Sequence, residues 1–322
     1  MMGGELLQID EEAKAVLCKV SQDGDTAWRF ISETKYRPRQ RTPPRIASLP
    51  TPLRTFSYTA SPDGTDSNLL LLFHGLGDSQ TPFAKLGATF RLPQTAVMAV
   101  RAPFSLPLEM GHGWFEAIDL EHGGDLIRPH EAEKRRVDSL AVCLRYLDEL
   151  LDALDWEPEE VFVFGFSQGG QTALEWAMRR QYETMKRPLG GIISVGAGLL
   201  EERQWRNHPR ESKQPGGRAK ATPALIIAGE RDALCPPSWA LWSSRKMNGD
   251  RCAGSEGKTE QAETSCRTVV ISGKGHGMLG EACGGNATSK KAEMEAVIGF
   301  FSKHLHCRSR LEEQAGVFNV ST

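Results

Sequence analysis

Six short apolar runs set the tightest limit on the fold: LLLLF at 69–73, TAVMAV at 95–100, VFVF at 161–164, GGIISVGA at 190–197, PALIIAG at 223–229 and TVVISG at 268–273. They do not alternate apolar with polar residues, so they predict strands covered on both faces. Between the second and third runs, Val137, Leu140, Leu144, Leu147, Leu151 and Leu154 recur at three- and four-residue steps and line one face of a long helix. Met294, Val297, Ile298, Phe301 and Leu305 repeat that spacing and predict a closing helix. Strands alternating with helices give an α/β architecture, a mainly parallel sheet with helices on both faces.

Two polar, glycine-containing stretches near 205–222 and 248–266 break this pattern and read as surface insertions. The segment KYRPRQRTPPRIASLPTPLR, residues 35–54, carries six basic residues, five prolines and no acid. It predicts an extended linker packed against or trailing from the domain; electrostatic contact with an acidic partner or lipid headgroups is the sharper alternative. Residues 5–32 are expected to hold a short helix and little more. The expected organisation is an arm and linker over 1–54, one domain over 55–307 and a tail over 308–322.

With 39 basic and 41 acidic residues the formal charge is -2, which gives no field strong enough to imply nucleic acid or an anionic membrane as partner. Seven scattered cysteines without a CxxC pair fit reduced intracellular thiols better than disulfides or a zinc site. MMGGELLQIDEEAKAV places acids where a signal peptide needs an apolar core, and no run approaches the roughly 20 apolar residues of a membrane span. A cytoplasmic protein without an integral membrane segment, metal or cofactor is expected.

The run VFVFGFSQGG ends in a serine hemmed in by glycines. A serine on a very tight strand-to-helix turn crowds the residues two before and two after it, and Gly165 and Gly169 remove the clash. GxSxG between a buried strand and a helical pattern, here QTALEWAMRR, is the nucleophile elbow of the α/β-hydrolase fold. The free N–H groups of a helix start favour developing negative charge, so the Gln168 amide is a candidate oxyanion donor. LLLLF runs into His74-Gly75-Leu76-Gly77-Asp78, whose glycines allow close backbone approach, and the Leu76 amide is the second candidate.

Ser167 is a poor nucleophile until a base takes its proton. Of eight histidines, His276 follows a strand inside GKGHGM and has glycine neighbours that leave its ring room. The carboxylate that orients it should follow another strand between the two. PALIIAG leads into Glu230-Arg231-Asp232-Ala233-Leu234-Cys235-Pro236, which makes Asp232 the candidate and Glu230 the reserve. The order Ser, Asp, His is that of α/β-hydrolases, and all three follow strand carboxyl ends, where open α/β sheets place their sites.

Taken together, LLLLFHGLGDS, GFSQGG, GERDALCP and GKGHGM resemble the phospholipase/carboxylesterase family that includes acyl-protein thioesterases, over roughly residues 67–306. The resemblance implies the same roles: Ser167 as nucleophile, Asp232 as orienter, His276 as base, and Leu76 and Gln168 as oxyanion donors. RAPFSLPLEMGHGWFEA resembles the family's proline loop and tryptophan-phenylalanine pair. Trp114 and Phe115 are then either walls of an acyl pocket or packing, with Phe104, Leu106 and Leu108 as further apolar walls. Glu230 and Cys235 stand where the family tends to have Asp and Val.

The expected function is hydrolysis of a carboxylic ester or thioester through an acyl-serine, most like an acyl-protein thioesterase or carboxylesterase. Its substrate would be an acylated small molecule, a lysophospholipid or an S-acylated protein. The enzymatic alternative is a lysophospholipase or small-ester carboxylesterase. The non-enzymatic one is a binding protein on a hydrolase scaffold.

Overall fold

The computed structural model describes residues 4–10, 15–22 and 25–32 as backbone strands, together with 41–128, 133–203, 221–249, 265–277 and 287–306. Most of both polar insertions and the tail therefore lie outside the described residues. A seven-stranded sheet is built from β1 (Phe56–Thr59), β2 (Asn68–Phe73), β3 (Thr95–Val100), β4 (Val161–Phe166), β5 (Gly191–Val195), β6 (Ala224–Gly229) and β7 (Cys266–Ile271). Its order is β7-β6-β5-β4-β2-β3-β1, and every pair is parallel except β1 with β3.

Six strands coincide with the six apolar runs. All residues of β2, β5 and β6 are buried, as strands with both faces covered require. The two faces are lined by alternate residues: Leu69, Leu71 and Phe73 enter one apolar cluster, and Leu70 and Leu72 enter the other. On the first face lie α2 (Arg135–Ala153), α3 (Gln168–Tyr182) and α4 (Pro237–Met247). The second is covered by α1 (Gln80–Phe90) and α5 (Ala287–His304), through residues such as Phe83, Val297 and Phe301. Among the described residues no helix is long and apolar enough to cross a membrane.

Three expectations need correction. The stripe proposed for α5 is rotated: Ile298 is exposed, and the inward face runs through Glu293, Val297 and Phe301. Edge strand β1 was not expected, although Phe56 and Tyr58 alternate inward against the first cluster. The described residues between 4 and 32 hold no helix; strands at Gly4–Asp10, Ala15–Gln22 and Asp25–Ser32 pair antiparallel in sequence order. The pairing of Gln22 with Asp25 leaves Asp23-Gly24 between the last two strands, a two-residue sequence favoured in hairpins. Of the linker, residues 41–54 pack on the domain: Leu49 and Leu53 are buried, and the Arg41 guanidinium lies 3.9 Å from the Trp156 ring centre and 2.5 Å from Glu160.

Helices α2 and α3 are joined by a buried carboxylate. Asp148 Oδ1 accepts from Trp176 Nε1 at 3.0 Å and from the Arg180 guanidinium at 3.1 Å. Asp148→Ala removes the buried acceptor of the Trp176 indole N–H and of Arg180 Nη1, leaving the guanidinium only the Arg187 carbonyl on Nε, so urea denaturation should show a loss of about 3–5 kcal/mol. A variant as stable as the parent would contradict this account of the helix pair.

Candidate active site

The site begins where β4 ends. Ser167 has φ 49° and ψ -121°, a conformation rarely adopted by a residue with a side chain, between the last residue of β4 and the first of α3. The turn is held by Ser167 N–H donating to Val195 C=O at 2.9 Å and by Gln171 N–H donating to Ser167 C=O at 3.0 Å. A Cβ on Gly165 would stand 2.5 Å from the Gly169 carbonyl oxygen. One on Gly169 would collide with the carbonyl oxygens of Phe73 and His74, so this glycine also admits the end of β2.

His276 and Asp232 reach the serine from the loops after β7 and β6. His276 Nε2 is 3.0 Å from Ser167 Oγ, and His276 Nδ1 is 2.8 Å from Asp232 Oδ2. The carboxylate is an acceptor, so Nδ1 carries a proton and Nε2 is left to accept from the hydroxyl. Asp232 is buried, and its Oδ1 accepts from the amides of Leu234 and Cys235, each at 2.8 Å. Burial pushes its carboxyl up; the hydrogen bond from His276 and the amides of Cys235 and Leu234 outweigh burial and hold it below the usual carboxylate value. Gly196, at φ 61°, leaves space beside both groups: a Cβ there would lie 3.2 Å from His276 Cε1 and 3.4 Å from Asp232 Oδ2.

Glu230, the reserve carboxylate, points elsewhere. Its Oε2 accepts from the Gly273 amide at 2.8 Å and from Ser272 Oγ at 2.9 Å, which hold its carboxyl below the usual value. It braces the turn after β7. Behind His276, the Lys274 ammonium forms a buried ion pair with Glu293 of α5. The Arg231 amide donates to the Lys274 carbonyl at 2.8 Å, tying the two loops together. Sequence reasoning did not single out this pair, yet Glu293 falls four residues before Val297 on a buried stripe, and an acid in that position signals a buried partner.

On the other side of Ser167 stands the loop after β2. A Cβ on Gly75 would lie 3.6 Å from Ser167 Cβ, which puts the Leu76 segment beside the serine. Gln168 opens α3, so its amide has no carbonyl one turn back within the helix. His74 is buried, and its ring lies between the Gly75 carbonyl, 2.7 Å from Nδ1, and the Ala102 amide, 3.0 Å from Nε2. The amide must donate, so Nδ1 bears the proton; burial pushes the imidazole pKa down. A short ladder, Phe104–Ser105 with His112–Gly113, joins this loop through the Gly77 amide, which donates to His112 C=O at 3.0 Å.

The residues proposed as acyl walls separate into two groups. Trp114 and Phe115 are 0% and 1% exposed, within the first apolar cluster, with the Trp114 ring centre 4.3 Å from that of Phe73. Their burial in that cluster favours packing, one of the two roles open to them. Phe104 and Leu106 are half-buried, and Leu108 is 91% exposed at φ 53°.

A mainly parallel sheet, covered on both faces and carrying a serine on a strand-to-helix elbow, is the α/β-hydrolase fold. The phospholipase/carboxylesterase profile matches residues 55–247, and the chain belongs to that family of hydrolases. It is 30% identical over 269 residues to an uncharacterized hydrolase of Mycosarcoma maydis, covering 82% of this chain and 87% of that one. It is 26% identical over 194 residues to acyl-protein thioesterase 1 of Gibberella zeae, covering 56% of this chain and 76% of that one. In fold it resembles the crystal structure of Zea mays acyl-protein thioesterase 2, with TM-score 0.55 and 21% identity over 78% of this chain and 99% of that one.

The low carboxyl pKa of Asp232 has a consequence for stability. A folded value below the unfolded one stabilises the fold above pH ~4, and that contribution is lost as pH falls through the folded value. Asp232→Asn should therefore flatten the acid side of the stability curve. Urea midpoints between pH 6 and pH 2 that fall in parallel for parent and variant would refute the assignment.

Proposed function

We propose that the chain is a serine hydrolase that cleaves carboxylic esters or thioesters through an acyl-serine, in the manner of an acyl-protein thioesterase or carboxylesterase. The observation that carries this reading is the hydrogen-bond chain from Asp232 Oδ2 through His276 to Ser167 Oγ, with steps of 2.8 and 3.0 Å. As the serine oxygen attacks the acyl carbonyl, His276 Nε2 takes its proton, and Asp232 stabilises the imidazolium that forms. The amides of Leu76 and Gln168 receive the negative charge on the former carbonyl oxygen. Collapse expels the alcohol or thiol, which takes the proton from His276; water, activated by the same ring, then releases the acid and restores the serine.

The thioesterase side of the reading draws on the Gibberella zeae relative and on the exposed leucine at 108, in the turn between Phe104–Ser105 and His112–Gly113 that is joined to the loop after β2. Apolar contact there would favour longer acyl chains by about 0.8 kcal/mol per methylene buried. A series of matched esters and thioesters of increasing chain length separates this reading from a small-ester carboxylesterase: rates that fall steadily beyond short chains would exclude the thioesterase.

Ser167→Ala should lower kcat by about a millionfold and abolish labelling by a fluorophosphonate, while Ser48→Ala labels normally. A folded parent that neither labels nor hydrolyses p-nitrophenyl esters would leave the binding-protein alternative.

A further inference from the structure

The two candidate oxyanion donors follow different strands, Leu76 in the loop after β2 and Gln168 at the start of α3 beyond β4, and their separation decides whether both can reach one oxygen. Among the described residues no hydrogen bond joins the Gly75–Gly77 backbone to the Ser167–Gly169 backbone directly. A buried circuit of side chains does so indirectly. Gln168 Oε1 accepts from the Trp114 amide and Gln168 Nε2 donates to the Phe115 carbonyl, both at 2.8 Å. The Trp114 indole N–H donates to the His74 carbonyl at 2.8 Å, and the His74 ring bonds the Gly75 carbonyl. Both ends meet at Gly113, where a Cβ would stand 3.1 Å from Leu76 Cδ1 and 3.2 Å from Gln168 Oε1.

We infer that the Gln168 carboxamide and the Trp114 indole are positioning residues that set the spacing of the Leu76 and Gln168 amides; the inference rests on the acyl-serine reading above. Each side chain is pinned by its polar atoms. The carboxamide must donate with one end and accept with the other, which admits one orientation, and both it and the indole are buried where water cannot replace a lost bond. Removing the Gln168 side chain keeps its own amide donor but frees the 114–115 backbone, and with it the indole that holds the loop after β2. A shift of about 1 Å in a positioned group costs on the order of a hundredfold in rate.

The test measures hydrolysis of p-nitrophenyl butyrate by Gln168→Ala, Gln168→Glu and Trp114→Phe, with the concentration of sites taken from fluorophosphonate titration. For Gln168→Ala and Trp114→Phe, kcat should fall about 10- to 100-fold with KM within about twofold. Inhibition by a trifluoromethyl ketone, whose adduct carries an oxyanion, should weaken by the same factor, while binding of the matching methyl ketone stays unchanged. Because the two side chains share one circuit, the double variant should lose less than the product of the single losses. Gln168→Glu supplies a further signature: its carboxylate repels the Phe115 carbonyl, whereas the protonated acid can donate to it. The ratio of variant to parent kcat should thus rise as pH falls. Unchanged kcat in folded variants, or equal losses with both ketones and a pH-independent Gln168→Glu ratio, would overturn the inference. If Gln168→Ala does not fold, Trp114→Phe and the Gln168→Glu ratio decide. Ser167→Ala separates the two levels: a parent whose activity survives that change fails the acyl-serine reading itself.

Discussion

Everything at the site depends on a steric condition, the close approach of the β4 elbow to the end of β2. Main chain occupies the space where side chains at 165 and 169 would stand: the Gly169 carbonyl in one case, the Phe73 and His74 carbonyls in the other. A Cβ on Gly170 would likewise lie 2.6 Å from Ser194 Oγ and 3.0 Å from Ala197 Cβ, toward β5. Three neighbouring strands are thus drawn against one turn. The unfavourable φ of Ser167 is sustained because the surrounding contacts determine it, with its amide bound to β5 and its carbonyl to α3.

Around that turn two tethering systems act on opposite sides. The loops after β6 and β7 are stitched to each other by the Glu230 amide on the Ile271 carbonyl, the Arg231 amide on the Lys274 carbonyl and the Glu230 carboxylate on the Gly273 amide. The buried Lys274–Glu293 pair then fastens the stitched loops to α5. A buried ion pair contributes little net stability compared with an apolar pair of similar size, but it demands a specific partner, which suits a loop whose histidine must face one oxygen. On the opposite side the tether is made of neutral groups: His74, Trp114 and Gln168, each using its polar atoms within the protein.

Elements that bury both faces were the most legible in the sequence, because continuous apolar runs leave few alternatives. The run at 95–100 became β3 without change, while that at 190–197 shortened to 191–195, since Gly196 takes φ 61° and turns the chain. Elements with one wet face were harder. Phe56-Ser57-Tyr58-Thr59 alternates over only four residues, too short a run to stand out from the surrounding loop. Ile298 met the helical spacing yet faces solvent, because spacing defines a stripe and only the neighbouring sheet decides where its centre falls. At the site, Ser167, Asp232 and His276 could be nominated by their position after strands. His74 and the Gln168 side chain could not, since their partners at 102, 114 and 115 are distant in sequence.

The departures within GERDALCP become intelligible in the same terms. Asp232 needs two amides on Oδ1 and an imidazole on Oδ2, and the amides come from the backbone of Leu234 and Cys235, whatever their side chains. The Cys235 side chain is fully buried, and burial, with the neighbouring Asp232 charge, pushes its thiol up to about 12. It is therefore a neutral apolar filler at pH 7, the property that valine would bring to the same position. Glu230, one methylene longer than aspartate, spans to the turn after β7 and helps hold His276's loop instead of contacting His276. Both substitutions change groups that support the orienting carboxylate from outside and leave its own hydrogen bonds intact, so the geometry at Ser167 does not require the family's usual residues at either position.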